Sequence, residues 1–259
     1  MSVFVTPEPI TATLTTAGAH VRVSASERTD TVVLVEPINA ASKSDVKVAE
    51  KTEVGFSDGE LSIKTNKSGD KNGSVAITIE LPVGSRLVLN TAWTDVHAEG
   101  RLGDCELNLA SGQVQLDYVA GTASIENGAA GVRIGEIEGV VRYEGSNGTV
   151  WIGHALSDVE LNGAGGRFDI DRAEGSVIAK AANCPIRVGR ITRGQAELMN
   201  AAGGVEVGIS DGTAAQVDAA STKGAVRNSL PAQDNPADTK VKVYARTRLG
   251  DIVIHPAAV

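Results

Sequence analysis

The sequence predicts an all-β chain: a single-chain parallel β-helix, or β-solenoid, of 18-residue coils with an irregular β region as its N-terminal cap. Three observations predict it. Of 259 residues 42% are hydrophobic yet only 3% are aromatic, so a core must be built from Val, Ile, Leu and Ala. The 29 glycines interrupt the chain too often for long helices and suit many strands with frequent turns. Apolar residues also recur with a strict period over about half the chain, the mark of a repeat architecture.

Residues 1–86 read as the irregular part. Strands are expected at Ile10–Leu14, Val21–Ser24, Thr31–Val35, Leu61–Lys64 and Val75–Leu81, separated by polar loops around Asn39–Asp45 and Thr65–Ser74. A stack of coils has an open edge that must be covered, so this segment is read as a cap. From Leu87 to about Thr213 the register is regular. Val96, Val114, Val132, Val150, Phe168 and Ile186 form one column, and Ala98, Leu116, Ile134, Ile152, Ile170 and Val188 follow two residues later. One inserted residue near Gln195 shifts the columns to Val205 and Val207.

A second strand per coil shows in Leu87, Cys105, Ala123, Val141, Val159 and Val177, again with apolar partners two residues on. The i, i+2 spacing is strand periodicity, one face inward and one outward. Glycines at the joins divide each coil into two nine-residue halves. A sandwich of hairpins needs no such register. Stacked coils do, because equivalent side chains then lie ~4.8 Å apart as parallel-strand neighbours. Beyond the regular part, Val217–Ala219 and Val226 continue a loosened coil, 229–240 with Pro231 and Pro236 reads as a loop, and Lys242–Tyr244 and Asp251–Ile254 close the chain. Residues 87–259 are thus read as one solenoid, continuous with the cap.

The segments LPVGSRLVLNTAWTDVHAEG (81–100), LNLASGQVQLDYVAG (107–121) and ARTRLGDIVIHPA (245–257) resemble the bacterial putative-adhesin family, domain of unknown function 4097. The likeness extends over nearly the whole chain. It implies a β-helical fold and surface attachment, and carries no catalytic residues.

Charge and motifs narrow the function. The formal charge is −8 with both signs interspersed, which argues against nucleic acid as a partner. No stretch reaches the ~20 apolar residues of a membrane-spanning helix, so membrane insertion is not expected. The start, MSVFVTPEPI, has neither a basic n-region nor an apolar h-region, and the expected compartment is the cytoplasm, with the surface reached only by another export route. Cys105 and Cys184 fit no zinc spacing and read as free structural thiols. His20, His97, His154 and His255 are scattered. The segment NGAGGRFDID (162–171) is a single, misregistered version of a calcium-binding nonapeptide. No metal, cofactor or catalytic residue is expected.

One outward column stands out: His97, Gln115, Arg133, Trp151, Asp169 and Arg187 stack coil upon coil. Arg133, Trp151, Asp169, Asp171 and Arg187 are the candidate interaction surface, because Trp beside Arg is a frequent interface composition. The competing reading is a structural ladder with Arg stacked on the indole. On the other strand the outward positions are mainly acidic, which keeps a flat sheet solvated. The sequence is therefore read as a non-enzymatic scaffold or protein-binding module whose partner is another protein or a second copy. The alternatives are a self-assembling β-helix, a cell-surface adhesin and, last, a carbohydrate-active enzyme.

Overall fold

The computed structural model describes residues 1–65, 73–231 and 239–257, and they form an all-β protein: 23 strands and one helix among the described residues. They group into two compact units, Met1–Gly131 and Val132–Val259. Of the expected loops, the parts at 66–72 and 232–238 lie outside the described residues.

In the Met1–Gly131 unit the expected columns pair as parallel neighbours. Leu87 lies beside Cys105 and Cys105 beside Ala123, each 18 residues on, while Val96 lies beside Val114. Their side chains are buried, as alternation at i, i+2 requires. Four of the five strands expected in the irregular region fall within observed ones, Ala19–Ser26, Asp30–Pro37, Glu60–Lys64 and Val75–Pro82, and the fifth, Ile10–Leu14, overlaps Thr11–Ala17, which starts one residue later. Their arrangement is less simple than their order. Thr11–Ala17 is flanked on both sides by parallel strands, Ala12 pairing with Leu61 of Glu60–Lys64 and with Leu87 of Arg86–Ala92. Ala19–Ser26 likewise lies between Val75–Pro82 and Asp95–Leu102. Thr11–Ala17 and Ala19–Ser26 are thus interior, and later strands, Glu60–Lys64 and Val75–Pro82, lie beyond them.

Those outer strands are in turn covered by antiparallel ones. Asp30–Pro37 runs along Val75–Pro82, Ser2–Val5 along Asp30–Pro37, and Glu53–Ser57 along Glu60–Lys64. The last pair is a hairpin closed by Asp58 and Gly59, both with positive φ, as a two-residue Asp-Gly turn demands. The polar stretch expected as a loop around Asn39–Asp45 instead runs into a helix, Lys43–Lys51. Ser42 caps it by accepting from the Asp45 amide. Asp45 accepts from the amides of Ser74 at 3.0 Å and Asn39 at 3.1 Å, and these bonds, the one from Ser74 foremost, hold its carboxyl below the usual range.

The Val132–Val259 unit repeats the scheme. Val150, Phe168 and Ile186 pair in succession at 18-residue steps, and the step to Val205 is 19, where the inserted residue was expected. The closing strands again depart from chain order. Thr239–Leu249 pairs with Gly194–Ala202 on one side and Ala214–Lys223 on the other, and Ile252–Pro256 lies between Val205–Ile209 and Val226–Asn228. Side-chain size accounts for the order. The late strands carry Val241, Val243, Ile252 and Ile254, all fully or almost fully buried. Burying a Val or Ile is worth about 1.5–3 kcal/mol, which favours Val241, Ile252 and Ile254 inside over their outermost register partners Ala215, Val226 and Asn228.

Candidate functional site

The five residues singled out by sequence lie on the outer face of the Val132–Val259 unit, and the structure brings them into one ladder. Parallel register sets Trp151 beside Asp169, Asp169 beside Arg187 and Arg187 beside Glu206. The Arg133 guanidinium carbon sits 4.0 Å from the centroid of the Trp151 ring, a cation–π stack worth roughly 0.5–2 kcal/mol. Trp151 is only partly exposed. Its ring edge passes over Gly153, where a Cβ would meet it at 2.9 Å, so the indole lies flat on the strand.

Arg187 holds the next rungs. Its Nη1 donates to Asp169 Oδ1 at 2.6 Å and Asp171 Oδ1 at 2.8 Å, and Arg167 donates to the second Asp169 oxygen at 3.0 Å. Those carboxylates, Asp171 before Asp169, push the Arg187 guanidinium further up, so it is a fixed cation. Glu206 continues the ladder by receiving His255 Nε2 at 3.2 Å. A shallow cavity of about 340 Å³ opens here, lined by Asp171, Arg172, Arg187, Arg190, Glu206 and His255 among others. Its charges alternate and are largely matched within the protein.

Beside the ladder, His154 stands between two carboxylates, Glu136 at 3.3 Å and Glu174 at 3.1 Å. Glu174 also accepts from Arg172 at 2.5 Å. The hydrogen bond from His154, followed by the Arg172 charge, holds the Glu174 carboxyl below its ordinary value. A depressed carboxyl contributes stability above the unfolded value, ~4.3, and loses it as pH falls through the folded value. Wild type should therefore melt above Glu174→Gln at about pH 6, and that gap should close by about pH 3. Thermal melts of both proteins across this range check it, and a gap independent of pH would contradict the assignment.

Cys105 and Cys184 are free and buried, and burial pushes their thiols up to about 12 and about 11. A thiol so protonated is a poor nucleophile at neutral pH. Among the described residues no three His, Cys, Asp or Glu side chains converge as metal ligands, and the NGAGGRFDID segment runs within the strand Val159–Ala173. No helix among the described residues is long and apolar enough to cross a membrane.

Sequence reasoning passed over Trp93, in the Met1–Gly131 unit. It is 74% exposed and sits at the corner between Arg86–Ala92 and Asp95–Leu102 with φ +49°. In the adjacent strands Ala17 pairs with Ala92 and His20 with Asp95, which places Gly18, φ +67°, at the equivalent corner. A left-handed backbone costs a residue with a Cβ about 1–2 kcal/mol, and glycine avoids that cost. The signal available in the sequence was the position itself: a large aromatic at a coil corner, where the flanking coils carry Gly18 and Ser111. Trp93→Gly should raise stability by up to ~1 kcal/mol, since strain is relieved and little burial is lost. Urea melts measure this, and a clear loss would mean the ring has packing that its exposure denies.

No family model matches the chain, and no curated protein does either. Among solved structures it is similar to a putative adhesin from Bacteroides fragilis NCTC 9343 at 12% identity and a TM-score of 0.42, over 98% of this chain and 95% of that one. It is also similar to a putative cell adhesion protein from Clostridium sporogenes ATCC 15579 at 15% identity and a TM-score of 0.28, over 98% of each chain.

Proposed function

We propose that this protein is a non-enzymatic, adhesin-like binding scaffold in which parallel 18-residue coils of a β-solenoid hold a contact residue rigidly in place. The observation that carries the reading is Trp93, an aromatic ring 74% exposed on a backbone conformation its neighbour reserves for glycine. Strain of this kind persists where surrounding structure enforces it, and it concentrates at ligand contacts. Trp is also the residue most enriched at binding hot spots. Trp151 supports the reading less well, because its ring is already engaged by Arg133 and laid on Gly153. The ladder from Arg133 to Arg187 then serves to stiffen the face, with Asp171 as its second anchor for Arg187.

The resemblance seen in the sequence supplies the adhesin-like part of the reading, and an adhesin must reach the cell surface. The test is attachment. A non-adherent bacterium displaying the chain on its surface should gain binding to mucin- or matrix-coated plates, and Trp93→Gly should abolish the gain while the displayed level is unchanged. Equal attachment by both forms, or none by either, overturns the reading.

A further inference from the structure

The outermost coil of the Val132–Val259 unit is formed by Ala214–Lys223 and Val226–Asn228. Gln216–Lys223 and Val226–Asn228 each have a strand partner on one side alone among the described residues, Thr239–Leu249 and Ile252–Pro256. In Gln216–Lys223 the outward edge of a parallel strand therefore presents backbone donors and acceptors to solvent, a ready template for another strand. The core end is open as well. Val243 and Ala245 are buried, but their neighbours Val217 and Ala219 are half-buried, and Val226 is 44% exposed beside the fully buried Ile252.

The devices that usually blunt an edge are nearly absent. Ala214–Lys223 contains no proline, and its one irregularity lies at Ala214/Ala215, at the start. The charges on this coil are mostly answered from the neighbouring one: Asp218 by Arg246 at 2.8 Å and Arg227 by Asp251 at 3.6 Å. The coil in the Met1–Gly131 unit shows the contrast, since antiparallel strands cover it on both faces.

We infer that this edge is a self-association surface, on which a second copy of the chain pairs its own Ala214–Lys223 antiparallel to the first. Charge favours that orientation. Asp218 and Lys223, both exposed, are the only charges in the strand, so antiparallel mates can bring each acid toward the partner's lysine, whereas in-register parallel mates would set like beside like. A two-fold axis through the coil pairs both edge strands at once, stacks Val217 and Val226 against the other core end, and closes the assembly at a dimer. The proposal goes beyond the adhesin-like reading and does not depend on Trp93.

Sedimentation of the full chain over a concentration series tests it, together with hydrogen exchange of the Gln216–Lys223 amides. The expected result is a species of twice 26.7 kDa that dissociates on dilution, with those amides losing protection as it does. Val226→Lys and Val217→Lys, which place a charge at the open core end where a monomer can still hydrate it, should each shift the dimer to monomer. A monomer at every concentration overturns the proposal, whether its own chain protects the edge or leaves it free. Larger species, or a dimer whose edge amides exchange freely, overturn it as well. If either variant fails to fold, the exchange measurement on wild type still decides.

Discussion

Phe168→Ala is expected to cost about 3–5 kcal/mol, enough to unfold a protein of ordinary stability at modest denaturant. Phe168 is fully buried and stands in a column whose other members are aliphatic, between Val150 and Ile186. Its ring meets Tyr143, also buried, edge to face with centroids 5.5 Å apart and planes at 80°. The extra volume has a matching gap. The tip of Phe168 lies 2.8 Å from where a Cβ of Gly163 would be, and the Tyr143 hydroxyl fills the space over Gly145. Truncation to Ala empties a site that two glycines and an adjoining ring were arranged to fill, and an array of hydrogen-bonded strands cannot collapse into it. Urea titration gives the cost directly. A double cycle with Tyr143→Ala should show coupling of ~0.5–1.5 kcal/mol from the ring pair. A loss below about 1 kcal/mol would mean that Phe168 is not packed as described.

Phe168 also shows what could be read in advance. Its place in the column followed from the 18-residue register, as did the neighbours Val150 and Ile186 and the extra residue before Val205. These are local, periodic consequences of side chains that must alternate inward. What the register could not give is which coil lies outermost. That choice compares burial of Val241, Ile252 and Ile254 with that of Ala215, Val226 and Asn228, a contest between two segments for the same place. The helix Lys43–Lys51 escaped for a different reason: it buries one apolar residue, Val48, and is otherwise held by Ser42 and Asp45, so it has no apolar stripe to detect. At the candidate surface, the nearness of Arg133, Trp151, Asp169 and Arg187 was legible from spacing alone. The occupation of the Trp151 ring by Arg133 and Gly153 depends on rotamers, and the exposure of Trp93 on a backbone turn, neither of which periodicity encodes.

Gly166→Ala is expected to destabilise by about 3 kcal/mol or more, well beyond the usual effect of one methyl group. Two separate costs meet there. The backbone has φ +106°, a region that side chains with a Cβ rarely enter. The new Cβ would also lie 1.8 Å from the carbonyl oxygen of Gly148, its register partner in the neighbouring parallel strand. That obstacle is backbone and cannot rotate aside. Relief requires the strands Val141–Ala155 and Val159–Ala173 to part, loosening bonds on either side of the contact. Gly212→Ala separates the two costs, because Gly212 has φ +68° but nothing within 4 Å of the added carbon. That variant should lose only the ~1–2 kcal/mol of the left-handed conformation. If denaturant melts show the two variants equally destabilised, the close approach of Gly148 and Gly166 contributes nothing. If Gly166→Ala is far worse, the strand separation at this corner is set by a backbone contact that only a glycine at 166 permits.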